Sequence, residues 1–255
     1  MRDFGERVAA PGIHDSKALD PLALYASAID SSDYVARVAP LVRRLVPEIG
    51  DLIDIGAGGG QLGAALLPPG RHWTAIEPSP TMQARLAGLA SPPRIIPRGW
   101  DDDGIACEPA DTVLAATMPG YFQDAPRFLA RCRRWSRRYI VWLVAAQRAP
   151  KGLILAACLP REWHGEDETP GIDLVLPQLG DDRPHRSNAI DWTFSLDLSD
   201  LAGFAAFQAD RLGWAPDDPR RPQLFEHLNK QAVPTSAGIR LSCHRRSAIL
   251  VWDLS

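Results

Sequence analysis

The chain has 255 residues, 45% of them hydrophobic and 23% charged, with a formal net charge of −3. That composition belongs to a folded domain with a sizeable core, and it excludes a mainly disordered chain. The slightly negative charge excludes a global basic field that would draw nucleic acid or anionic lipid. No apolar run approaches the ~20 residues that span a bilayer. The longest run, 139–146 (YIVWLVAA), has the length of a strand. The N-terminal segment is charged and broken by Pro and Gly, without the apolar stretch of a secretory signal. Cys107, Cys132, Cys158 and Cys243 are dispersed and contain no CxxC pair, so neither a disulfide framework nor a metal site is expected. The expected setting is the reducing cytoplasm.

Residues 20–46 turn helical, with Ser31-Ser32-Asp33 as a cap cluster and Tyr34, Val38, Leu41, Val42 and Leu45 at helical spacing. Residues 51–55 (DLIDI) predict a buried strand that runs into a glycine cluster at 56–60. A helix over 61–67, a strand over 72–76, a helix over 80–89 and a short strand over 94–97 follow. Next come a strand over 111–116, a helix over 126–137 and a strand over 139–146. Strands alternating with helices predict βαβ units, and near-continuous apolar strands predict a parallel sheet covered on both faces. After Gln147 the rhythm changes, and 150–190 is rich in Pro, Gly, Asp and His. A strand over 193–198 and helices over 201–212 and 222–231 come next. Residues 239–243 and 248–252 then bracket His244-Arg245-Arg246-Ser247, which predicts a terminal hairpin.

The strongest signal is LIDIGAGGGQLGAAL, residues 52–66. A strand ends in Asp54, a glycine turn follows, and a helix N-terminus comes next. Such a turn permits positive φ and close approach of a ligand to the backbone. A dinucleotide reading needs GxGxxG, which Gly58, Gly60 and Gly63 satisfy, with Glu77 where a ribose-binding acid belongs. Three features oppose it. The fitting glycines begin three residues past the strand end at Ile55, Asp54 would repel a pyrophosphate, and Gly56 is left without a role.

Asp54-Ile55-Gly56-Ala57-Gly58-Gly59-Gly60 resembles the first motif, D-x-G-x-G-x-G, of class I S-adenosylmethionine-dependent methyltransferases. Charge agrees with this, because a sulfonium and an ammonium group favour a nearby carboxylate. The resemblance implies that Asp54 lies near the methionine moiety, that Glu77 binds the ribose hydroxyls, and that Pro78 and Met82 form an apolar shelf beside the adenine. It assigns Gly56, Ala57, Gly58 and Gly60 to the cofactor turn, and Trp100 and Asp101 to the region of the adenine amine. Thr117, Met118 and Tyr121 fall at the edge of the methyl-transfer site. The implied fold is α/β, a doubly wound, mostly parallel seven-stranded Rossmann-like sheet. It forms a single domain with a helical cap (1–47), a cofactor-binding core (48–148), an insertion (149–192) and a C-terminal part of the sheet (193–255) ending in the hairpin. The implied cofactor is S-adenosyl-L-methionine, with S-adenosyl-L-homocysteine as product.

The segment TMPGYF (117–122) replaces the (N/D)PP(Y/F) motif of methylators of nucleic-acid bases and protein amides. Arg127, Arg131, Arg134 and Arg138 form a stripe that suits RNA, but Phe128, Cys132, Trp135 and Tyr139 make the opposite, buried face, so the arginines read as its solvated back. The expected acceptor is a small molecule. Methylation of RNA or protein, a NAD(P)-dependent oxidoreductase and a non-catalytic cofactor-binding module are the alternatives. Within 163–168 (WHGEDE), His164 is the candidate general base, with Tyr121 as a second candidate catalytic residue. A polar surface loop is the competing reading of that segment. Tyr25 is expected to line the pocket from a lid-like N-terminal helix, whereas His72, His185, His227 and His244 read as structural.

Overall fold

A computed structural model describes residues 19–117, 123–150, 152 and 154–255. Two helices, α1 (Pro21–Ser31) and α2 (Tyr34–Leu45), precede the sheet and part at Ser32-Asp33, where the sequence places its cap cluster. The core then alternates β1 (Leu52–Ile55), α3 (Gln61–Leu66), β2 (Trp73–Ile76), α4 (Pro80–Ala87), β3 (Arg94–Ile96), β4 (Ala110–Ala116), α5 (Ala125–Trp135) and β5 (Ser136–Ala145). Short helices α6 (Arg161–His164) and α7 (Gly171–Val175) fill the insertion. The chain ends with β6 (Arg186–Leu198), α8 (Leu201–Arg211), α9 (Arg220–Gln231), β7 (Val233–Thr235) and β8 (Gly238–Asp253).

The strand order is β3-β2-β1-β4-β5-β8-β6, with β7 attached to β8. The five strands from β3 to β5 are parallel, and β8 runs antiparallel to both β5 and β6. Alternation along each strand feeds two cores. Leu52, Leu114, Val141 and Leu143 face one side, under α2, α3, α8 and α9. Ile53, Val113, Ile140 and Trp142 face the other, against α5 and α7. Both faces are covered, which is why the parallel strands read as unbroken apolar runs.

The expected terminal hairpin is corrected. Residues 238–253 form one strand, and His244, Arg245, Arg246 and Ser247 pair in register with Thr193, Trp192, Asp191 and Ile190 of β6. The charged run looks like a turn, but alternation buries Arg245 and Ser247 and exposes His244 and Arg246. The hairpin that does form lies earlier, between β7 and β8. The reading of the arginine stripe is corrected at one position as well. Arg131 is buried, with its guanidinium 2.5 Å from Asp103 and over the Trp135 ring.

An unbroken β8 has a direct consequence for exchange. In native-state hydrogen exchange the paired amides among residues 244–247 belong with the slowly exchanging core of β8. Turn-like exchange within minutes there would restore the hairpin.

Candidate active site

The chain passes β1, β2 and β3 in one direction and then returns to place β4 on the other side of β1. This switch leaves a crevice beyond the carboxyl ends of β1, β2 and β4, the usual ligand position in open α/β sheets. A cavity of about 350 Å³ lies there. Its floor is the turn after β1, with Gly56 and Gly58 at φ of 62° and 54°. A Cβ on Gly58 would meet no atom within 4 Å, so this backbone faces open space. Gly63, by contrast, points inward, and a Cβ there would collide with the Asp54 carboxylate and the Trp73 ring. Gly63 lets α3 sit on Asp54, a packing role distinct from the dinucleotide role that its spacing suggests.

Two buried carboxylates frame the cavity. Glu77, just past β2, accepts from the Gly58 N–H at 2.9 Å and from the Ser79 N–H at 2.8 Å. Asp54 occupies a position in β1 that faces α3 and is 3% exposed. Burial, and secondly the negative charge of Glu77, push the Asp54 carboxyl up to about 8. The first effect penalises any ion taken from water and the second penalises like charges held together.

Helix α1 roofs the cavity with Leu22, Tyr25, Ala26 and Ile29. Its ends are tied to the rim. The Thr81 hydroxyl donates to Asp20 at 2.9 Å, and the Gln61 amide donates to Asp30 at 2.8 Å and to the Ala26 carbonyl at 3.1 Å. Arg85 also pairs with Asp30. At the inner end, burial raises the phenols of Tyr25 and Tyr34, and the Thr117 hydroxyl opposes both rises. Among the described residues, the Tyr34 hydroxyl is buried with no partner that meets full hydrogen-bond geometry. Thr117 has φ of 52°, a left-handed conformation that is strained for a β-branched residue.

The residues expected at the site divide clearly. Asp54, Gly56, Ala57, Gly58, Glu77, Pro78, Met82, Trp100 and Thr117 all line the cavity, and so does Tyr25. Gly60 lies outside the lining, at the start of α3 with φ of 80°. Asp101 is exposed and does not line the cavity. Its neighbours form a solvated acidic turn, with Asp102 2.5 Å from Arg98 and Asp103 on Arg131. Met118 and Tyr121 fall outside the described residues. His164 does not line the cavity either. Its ring is fully buried, Nδ1 accepts from the Glu166 N–H at 3.1 Å, and Nε2 lies 3.3 Å from Glu168. The sequence motif did not reveal Gln61, Leu62 or the wall residues Ile29 and Tyr34, which reach the site only through the packing of α1 and α2. Among the described residues, no three His, Cys, Asp or Glu side chains converge on a metal position.

No family model matches the chain, and no curated protein matches it in sequence. Solved structures do. A Bacillus halodurans protein assigned as a methyltransferase is 14% identical, with 84% of this chain and 97% of that chain covered and a TM-score of 0.50. An Anaeromyxobacter dehalogenans protein assigned as a type II methyltransferase is 18% identical, with 85% and 96% covered and a TM-score of 0.50. The chain therefore has the class I methyltransferase fold.

The raised Asp54 carboxyl ties stability to pH. The folded chain holds this proton to about pH 8, whereas an unperturbed Asp carboxyl loses it near 3.8. The folded state thus binds more protons between these limits, and its stability through this group falls as pH rises across them. Asp54→Asn removes that slope, and its Tm at pH 8 should exceed that of the native chain by roughly 10–20 °C. Parallel Tm-versus-pH curves for the two proteins would show that Asp54 titrates normally.

Proposed function

We propose that this chain is an S-adenosylmethionine-dependent methyltransferase acting on a small molecule. The observation that carries the reading is the pair of buried carboxylates, Asp54 and Glu77, lining one cavity beside the glycine turn. A pyrophosphate would meet two acids there, and the Gly58 N–H that it would need is already given to Glu77. A cationic ligand meets favourable charge instead. The cavity falls within the ~300–1,000 Å³ of ordinary small-molecule sites. The protonated Asp54 is a buried polar group that a ligand would satisfy.

When bound, S-adenosylmethionine supplies a methyl group whose bond to sulfur breaks, leaving the electron pair on sulfur, as a bond to the acceptor atom forms. The chain's part is mainly binding and orientation, which lower the barrier by proximity. Asp54 would face the cationic groups, Glu77 would accept from ribose hydroxyls, and Pro78, Met82 and Trp100 would offer apolar contact to a base. The roof of α1 over the cavity would narrow the space open to an acceptor, which supports a small-molecule substrate. His164 is too deeply enclosed to serve as the base, and its replacement by Ala is expected to cost stability rather than turnover.

Calorimetric titration with S-adenosylmethionine, S-adenosylhomocysteine, NAD and NADP tests the cofactor. Binding of the first two alone supports the reading, whereas binding of either dinucleotide alone overturns it. Gly58→Val places a branched side chain in open cavity space at positive φ. It should weaken S-adenosylhomocysteine at least tenfold, with stability lowered by about 1–2 kcal/mol. Unchanged affinity would place the ligand elsewhere.

A further inference from the structure

Arg245 lies on β8, opposite Trp192 of β6 and two residues before Ser247, which pairs with Ala145 at the end of β5. It therefore stands at the carboxyl edge of the parallel strands, on the same side of the sheet as the proposed cofactor site. Its side chain shares a face with Cys243 and Ser247. The Ser247 hydroxyl accepts from the Trp192 indole at 3.0 Å, and the Trp192 ring packs 4.7 Å from Tyr34, a wall of the cavity.

Arg245 is only 7% exposed. Among the described residues it has no carboxylate at ion-pair distance and no hydrogen bond from its guanidinium. Arg131 is equally buried but rests on Asp103. The groups that feel the Arg245 charge are the Tyr25 phenol and the thiols of Cys158 and Cys243. Burial raises the Tyr25 phenol, and the Cys243 thiol is held below its ordinary value first by its hydrogen bond with Cys158 and further by Arg245, so among the described residues neutral or weakly acidic groups, and no carboxylate or phosphate, face this buried guanidinium. Tyr25 belongs at once to this cluster and to the cavity lining. Arg245 itself does not line the cavity, and Tyr25 is the lining residue that feels its charge.

We propose that Arg245 is the anchor for an anionic group, a carboxylate or phosphate monoester, on the methyl acceptor. This rests on the methyltransferase reading for the word acceptor, but the anion site itself does not. A planar guanidinium grips either anion through two parallel hydrogen bonds. The unpaired charge costs the free protein stability, as binding groups commonly do.

The test uses the full chain with S-adenosylhomocysteine present and absent. Benzoate and phenyl phosphate are the anionic probes, and benzamide is the neutral control. At several times Kd a bound anion should raise Tm by about 2–4 °C, and benzamide should not. Comparing benzoate with phenyl phosphate distinguishes the two anions. Arg245→Met should abolish the anion effect, leave the S-adenosylhomocysteine Kd within about threefold, and melt at or above the native Tm. Arg245→Lys should retain a weaker anion effect. The proposal is overturned if neither anion exceeds benzamide, if the shift survives Arg245→Met, or if that variant melts well below the native chain, which would make the guanidinium structural. Failure of S-adenosylhomocysteine to bind the native chain, with the anion effect intact and Arg245-dependent, defeats the methyltransferase reading alone.

Discussion

Two carboxylates held side by side at the ends of β1 and β2 set the terms for the rest of the site. Adjacent parallel strands deliver Asp54 and Glu77 to the same crevice. Glu77 is satisfied by two backbone N–H groups, so it keeps its charge while buried. Among the described residues none donates a hydrogen bond to Asp54, which sits under α3, and burial with the charge of Glu77 holds its proton. Much of the surrounding sequence follows from accommodating this pair. Gly63 clears space for the Asp54 carboxylate, and the left-handed Gly58 turns its N–H toward Glu77. A site arranged in this way selects for positive charge before any shape is considered.

The roof over these acids is polar at its ends and apolar in its middle. Asp20 and Asp30 fasten α1 to Thr81, Gln61 and Arg85, while Tyr25 and Ile29 close the cavity. Arg245, buried on β8 outside the cavity lining, carries the opposite charge. The strained Thr117 lines the cavity just past the end of β4.

The parallel half of the sheet was legible because burial on both faces writes each strand as an apolar run ended by Gly or Pro. The antiparallel half was not. The first residues of β6 are exposed and polar, held as a strand by pairing with β8 and not by a buried face. In β8 the pair Arg245-Arg246 mimics a turn, because local pattern does not reveal that one arginine is buried. Ser136 and its two arginines likewise extend β5 at an end where apolar character fades. At the site, the acids and glycines were readable because the motif is contiguous. The contribution of Gln61 was hidden, since it acts through Asp30, 31 residues away. His164 drew attention as a polar residue in a polar run, yet its side chain is buried away from the cavity.

The central claim is that the buried Asp54 and Glu77 form a receptor for a cation, with Asp54 protonated until that cation arrives. Calorimetry of S-adenosylmethionine binding at pH 7, repeated in buffers of different ionisation enthalpy, counts the protons released. With Asp54 raised to about 8, the account predicts release of about one proton per ligand bound, lost in Asp54→Asn. Binding without proton release, or release unchanged in that variant, would contradict it.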